Sequence, residues 1–287
     1  MTPQSSSGIT MNATSRDRAA FGVNTYSFTQ HLHARDCLQQ LANEGYRRFE
    51  LMLIPGHFWP SLDGVEGRRE IEALIVRNSL EILTLNQPNL DINLASAVPE
   101  VRQHSCAAVA NAIELASAWN AKGVVINPGK ANPVFPPPLQ VLTDNFRRSL
   151  DILVPIAQTA SVQLIVKNHP LSYLCRAQGL REFFDAFGWE QIGLGYDFAN
   201  GHYAGEAPEA VLNVWDHMSF LYAADTSVER FDHSEIGTGT VPFGDIAKLL
   251  QGVKVCPPTI LEIMADHPES AIDASVRYLD RVGWPTA

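Results

Sequence analysis

Residues 164–170 read LIVKNHP. The apolar run from Val162 to Val166 has the composition of a buried strand, and it leads into Lys167, Asn168, His169 and a proline. A lysine on the last step of such a strand is costly to bury unless another group pairs with it or uses it. Its meaning depends on the sheet. Upstream, Pro136-Pro-Pro opens a helical pattern that runs to about Ala160, and downstream a second helical pattern covers 178–187. The unit is therefore helix, apolar strand, polar strand end, helix.

That unit repeats along the chain. Strand-like runs fall at FGVNTYS (21–27), RRFELML (47–53), EILTLN (81–86), GVVINPG (123–129), the 162–166 stretch, IGLGYD (192–197), SFLYAAD (219–225) and TILEIM (259–264). Helical patterns separate them at 33–45, 65–78, Pro99–Trp119, up to Ala160, 178–187, 208–217, 242–252 and 268–282. Strands alternating with helices imply a parallel sheet. Eight pairs in about 260 residues imply an α/β fold of the closed (β/α)8 barrel type. An open doubly wound sheet would call for a GxGxxG turn after a strand, and none is present. No Pro/Gly/Ser linker divides the pattern, so residues 19–287 are expected to form one barrel domain.

Composition narrows the partners. The chain of 287 residues has 46% hydrophobic and 18% charged residues, enough apolar content for a large core. Its formal net charge of -10 argues against nucleic acid, which calls for a basic face, and against an anionic membrane surface. No run of about 18 apolar residues is present to span a membrane. The first twenty residues are Ser/Thr-rich without the apolar core of a signal peptide, so 1–18 are expected as a disordered tail and the location as cytoplasmic. Cys37, Cys106, Cys175 and Cys256 are far apart with no CxxC pair, which reads as reduced thiols.

In a barrel of this kind the chemistry sits at the carboxyl ends of the strands. Polar residues crowd those ends: Asn24, Glu50, Asn86, Asn127, Lys167, Asn168, His169, Asp197, Asp225 and Glu262. Any one of them alone reads equally well as a helix cap or loop anchor. Ten on one rim are harder to explain that way. The loop IPGHFWP (54–60) adds His57 and Trp59 as a pocket wall or an aromatic plug.

The order and spacing of FGVNTYS, RRFEL, LGYDFANGHYAGE, AADTSVERFDHSEIGTGTVPFGDI and TILEIM resemble the xylose isomerase-like barrel family of sugar isomerases, epimerases and related dehydratases. The resemblance runs from Phe21 to about Tyr278. It implies a divalent ion (Mn, Mg, Co or Zn) held by a Glu after strand five, an Asp after strand six, a His after strand seven and a Glu on strand eight. By position the Asp is Asp197 and the last Glu is Glu262. His233 matches the His of an H-x-x-x-G-x-G loop, and Asn200 or His202 lies near a further substrate-binding His. Two positions depart: Lys167 stands for the first Glu and Tyr222 for the strand-seven His.

An ammonium within about 4 Å of a divalent cation is repelled by several kcal/mol even at an effective dielectric near 20. No cofactor is therefore expected in the usual site, and Lys167, Asp197 and Glu262 are the expected catalytic residues. Lys167 would polarise a carbonyl while Glu262 moves a proton. Asn24, Glu50, His57, Trp59, Asn86, Asn127, His169, His202 and His233 are expected to bind a small polyhydroxy substrate. Three alternatives stay open: a rebuilt metal site on Asp197, Asp225, Glu262 and His202 or His233; Lys167 as a Schiff-base nucleophile; or a metabolite-binding barrel in which Lys167 is a plain salt bridge. A dehydratase or lyase reaction and homo-oligomerisation are left open as well.

Overall fold

A computed structural model describes residues 15–88, 91–130, 132, 134–188 and 192–286. Eight parallel strands close on themselves in chain order: β1 Gly22–Asn24, β2 Arg48–Met52, β3 Glu81–Asn86, β4 Gly123–Ile126, β5 Gln163–Lys167, β6 Ile192–Asp197, β7 Met218–Ala223 and β8 Thr259–Leu261. Helices α1 Ser15–Ala20, α2 Ala34–Asn43, α3 Pro60–Asn78, α4 Pro99–Ala118, α5 Leu139–Ala160, α6 Ala177–Phe187, α7 Phe198–Tyr203, α8 Phe243–Gln251 and α9 Pro268–Arg281 accompany them.

Two apolar cores result. The larger lies between strands and helices, and helices such as α2, α5, α6, α8 and α9 face it with buried apolar residues. On α9, Ile272, Val276 and Leu279 recur at four and three residues and are fully buried. Each such burial stabilises the fold by roughly 1.5–3 kcal/mol. The smaller core fills the barrel, where Leu83, Val125, Ile165, Phe220, Tyr222 and Ile260 meet. Side chains two apart on a strand share a face. Asn127, Lys167 and Glu262, two residues beyond Val125, Ile165 and Ile260, are thereby aimed inward at the carboxyl rim. Gly195 makes room for the ring of Tyr222, since a Cβ there would meet it at 2.7 Å.

Three details differ from the sequence pattern. Residues 208–217 form a 3-10 helix, because Val211 and Val214, three apart, are the residues it buries. The short helix α7 follows β6 directly, capped by the Asp197 side chain, which accepts from the Asn200 N–H at 3.0 Å. The expected tail is also too long: α1 starts at Ser15, and the Arg18 guanidinium donates to Asp273 Oδ1 at 2.6 Å and to the Glu44 carbonyl at 2.6 Å. A fork-shaped cation between a carboxylate and a carbonyl fixes this segment against α9. Residues 1–14 lie outside the described part. Among the described residues no helix is long and apolar enough to cross a membrane.

Candidate active site

Lys167, the last residue of β5, is 4% exposed. Its ammonium donates to Glu262 Oε2 and lies 3.2 Å from Asp197 Oδ2, with the ring of Tyr222 beneath it at 4.2 Å from Nζ to centroid. Burial by itself would lower the lysine's proton affinity. Glu262, Asp197 and Glu50 together outweigh it and raise the pKa. Lys167 is therefore held as an ammonium, which disfavours its use as a Schiff-base nucleophile.

The two carboxylates are unequal. Burial pushes both upward. For Asp197 that push is outweighed by Lys167, by His233, whose Nε2 lies 3.2 Å from Oδ2, and by the Asn200 N–H, so its pKa falls below the usual range. For Glu262 burial wins over Lys167 and His233, and the pKa rises. His233 is raised: burial opposes the imidazolium, but Asp197 and Glu262 favour it more strongly. Two carboxyl groups pushed apart in this way are suited to different tasks, one as a fixed counter-charge and one as a proton carrier.

The layer beneath is a closed polar network. Glu50 Oε1 accepts from Asn24 Nδ2 at 2.6 Å and Asn86 Nδ2 at 2.9 Å, and Oε2 accepts from Thr84 Oγ1 at 2.5 Å and Tyr222 OH at 2.6 Å. Strand register builds it, since Asn24 pairs with Glu50 and Glu50 with Thr84 across β1, β2 and β3. Asn168 supplies a second brace. Its Oδ1 accepts from the Asp197 N–H at 2.7 Å, and its Nδ2 donates to the Asp197 carbonyl at 3.1 Å.

Above Lys167 and Glu262 opens a cavity of about 310 Å³. Asn86, Asn127, Lys130 and His169 supply further polar lining, and Tyr26, Leu171 and Phe231 are among its apolar walls. Burial, then Lys167, lowers the pKa of His169 to about 4, so it presents a neutral imidazole at pH 7. A larger cleft of about 840 Å³ lies on the helical shell between α4 and α5. Strand-end residues do not line it, whereas they do line the smaller cavity.

Several residues expected at the site lie elsewhere. Glu50 and Asn24 are in the network below the cavity floor. His57 is fully buried, its Nδ1 at 2.7 Å from the Leu32 carbonyl and its Nε2 at 3.0 Å from Thr25 Oγ1, so it bolts a loop to the core. Trp59 packs against the core and borders a separate cleft with His104 and Asn111. His202 bonds Thr240 at 2.9 Å. Asp225 accepts from the N–H groups of Thr226, Gly237 and Val241 at 2.9, 2.7 and 3.1 Å, which uses it to shape the 226–241 loop that carries His233. Sequence reading missed Thr84, whose signal is a lone hydroxyl inside an apolar strand, and Lys130, which reads as a turn residue in NPGK.

The bolt role of His57 has a measurable consequence. Burial lowers its pKa from 6.5 to about 4, against the partial opposition of the Leu32 carbonyl. The unfolded chain takes up this proton more readily, so the stability involved is complete above pH 6.5 and is lost as pH falls toward 4. The expected size is about 3 kcal/mol. Urea unfolding of wild type and His57→Phe between pH 7 and 4 checks it: the variant's acid loss should be shallower by about that amount, and equal slopes would refute the assignment.

Asp197, His233 and Glu262 each offer a donor atom within 4.8 Å of the others, the spacing of a metal centre. The ammonium of Lys167 contacts two of the three, however, and a divalent ion among the same oxygens would be repelled by it. With Asp225 engaged by backbone and Tyr222 by Glu50, this donor set does not fit the ion that the resemblance implies.

A closed eightfold parallel barrel with an inward-facing polar cluster at its carboxyl rim defines the class as a TIM barrel. The chain belongs to the xylose isomerase-like TIM barrel family, whose model matches residues 38–282. The uncharacterized protein MJ1311 of Methanocaldococcus jannaschii is 22% identical over 241 residues, 81% of this chain and 80% of that protein. Among solved structures, a D-tagatose 3-epimerase-like protein superposes with a TM-score of 0.79 at 20% identity, over 91% of this chain and 97% of that one. The 3-keto-D-glucoside 4-epimerase from E. coli superposes with a TM-score of 0.75 at 16% identity, over 91% and 99%.

Proposed function

We propose that the protein is an isomerase or epimerase of a small keto-sugar or related hydroxy-carbonyl compound, with the Lys167 ammonium acting where the family's metal ion would. The observation that carries this reading is the placement of Lys167 between Asp197 and Glu262 on the cavity floor. Family membership and the epimerase names of the two solved structures support the reaction class. In the proposed step the Glu262 carboxylate takes the proton from the carbon next to the substrate carbonyl. The C–H electron pair becomes the carbon–carbon π bond, the carbonyl π pair moves to the carbonyl oxygen, and Lys167 donates a hydrogen bond to the resulting enolate. Delivery of a solvent proton to the opposite face, with Glu262 releasing the proton it took to solvent, gives the epimer, and a proton shift between the oxygens with return from Glu262 to the neighbouring carbon gives the isomer. Asp197 stays ionised and holds the ammonium in place, and Tyr222 supports it from below.

Solvent deuterium exchange next to the carbonyl, followed by NMR over a panel of ketoses and inosose-like compounds, tests the reading. Exchange is expected for at least one of them with metal-free protein. Binding without exchange across the panel would instead favour a metabolite-binding barrel.

A further inference from the structure

His169 stands two residues beyond Lys167, on the wall of the same cavity. Its ring is held by a turn that the sequence HPLS (169–172) builds. The Ser172 N–H donates to the His169 carbonyl at 2.9 Å, which makes Pro170 the second residue of the turn. Proline is favoured at that position because its φ is already set for it. Inside the turn the Leu171 N–H donates to His169 Nδ1 at 3.1 Å. A ring nitrogen that accepts a hydrogen bond carries no proton, so the proton of the neutral imidazole sits on Nε2. The imidazolium and the Nδ1–H tautomer would each set an N–H against the Leu171 N–H. The backbone of the turn therefore selects both the charge and the tautomer.

Nε2 is available to a ligand. It has no hydrogen-bond partner among the described residues, and it is not one of their sealed, unpartnered side-chain atoms. The ring to which it belongs lines the cavity with Lys167 and Glu262. Phe231 packs edge-on against this ring, with 5.8 Å between centroids, and gives it an apolar flank. The surrounding charges agree with the turn. Burial and then the Lys167 ammonium oppose a positive charge on His169, Asp197 favours one, and His233 and Lys130 oppose it further.

We propose that His169 is a second catalytic donor, its Nε2–H bonding the same substrate oxygen as the Lys167 ammonium, the one on which the enolate charge develops. The proposal rests on the proton-transfer reading above. Donors of this kind act by being held in place before the charge appears, and the 169–172 turn holds this one. A neutral imidazole can serve as such an electrophile. Unlike a second cation, it does not compete with Lys167 for Asp197 and Glu262. His169 keeps its own proton throughout, and Glu262 remains the group that takes one from carbon. Each polar residue of LIVKNHP then has a role: Lys167 supplies the charge, Asn168 braces Asp197, and His169 adds the neutral donor.

The test uses the full chain and two readouts. Long-range proton–nitrogen correlation NMR at pH 7, with the His169 signals identified by their loss in His169→Gln, is expected to show a neutral ring protonated on Nε2. A ring protonated on Nδ1, or on both nitrogens, would overturn the proposal, whatever the activity of any variant. In deuterium exchange with the fastest-exchanging ketose of the panel, His169→Phe should lower kcat by about 10- to 100-fold, the range for a hydrogen bond to a charged group. KM should stay within a few-fold. His169→Gln returns an N–H near the place of Nε2–H and should recover most of the loss. A glutamine variant as slow as the phenylalanine variant would mean that His169 carries protons, and would overturn the proposal. A shift of the Nε2–H resonance on adding D-fructose, with no exchange of any sugar, would keep His169 as a ligand donor and refute the proton-transfer reading. Exchange by the wild type that His169→Phe leaves unchanged would do the reverse.

Discussion

Lys167→Met is expected to reduce turnover about 10²- to 10³-fold, the loss seen when one preorganised donor to a developing oxyanion is removed. Methionine keeps the length and bulk of the side chain, so the barrel can close around it. What disappears is the charge between Asp197 and Glu262. Removing one partner of a buried ion pair costs about 3–5 kcal/mol, and here it leaves two carboxyl groups facing each other. One of them must then hold a proton, so its pKa rises. A raised carboxyl pKa means that the folded state retains a proton the unfolded chain releases. The variant's deficit should therefore grow as pH rises from 5 to 8 and shrink in acid. Thermal unfolding across that pH range checks the stability part, and exchange kinetics check the activity part. Activity within a few-fold of wild type would reduce Lys167 to a structural ion pair.

The barrel was legible because its signal is local and repeated. Apolar strands such as 162–166 and amphipathic helices such as α9 announce themselves in a window of ten to twenty residues, and their alternation dictates a parallel sheet. Polar strand ends could be found the same way, and Asn127, Lys167, His169 and Glu262 do line the cavity. The arrangement within the rim was less legible, since it depends on register. A shift in pairing between Phe49 and Glu50 sets which residues of β2 and β3 face each other, and no one-dimensional pattern reports it. Glu50 consequently reads as a substrate ligand from the sequence, yet it is the acceptor for four donors below the floor.

Loop residues were harder still. The IPGHFWP loop reads from the sequence either as a pocket wall or as an aromatic plug, and the burial of His57 and Phe58 turns it inward as packing. Asp225 reads as a metal ligand because carboxylates at strand ends are so often used that way. The backbone N–H groups of Gly237 and Val241 lie nearby, and the carboxylate serves that loop instead. Lys130 escaped notice for the opposite reason: NPGK is a turn by every local rule, and only the fold brings it to the same cavity as Lys167.

Lys167→Glu should move the site in the other direction. It returns a carboxylate to the position where the family resemblance implies one, beside Asp197, His233 and Glu262. Four oxygen and imidazole donors of this kind suit Mn, Co or Zn. The variant should gain affinity for these ions, weakened by Tyr222 standing in place of the strand-seven histidine. Calorimetric titration with Mn²⁺ measures the gain, and the wild type should show no comparable binding.

The central claim is that an ammonium ion does the work of a metal, and elemental analysis of the purified wild-type chain, paired with activity before and after chelation, tests it most directly. The account predicts no stoichiometric divalent metal and unchanged exchange rates after chelator treatment. One tightly held Mn, Co or Zn per chain, with activity lost on its removal and restored on its return, would contradict it.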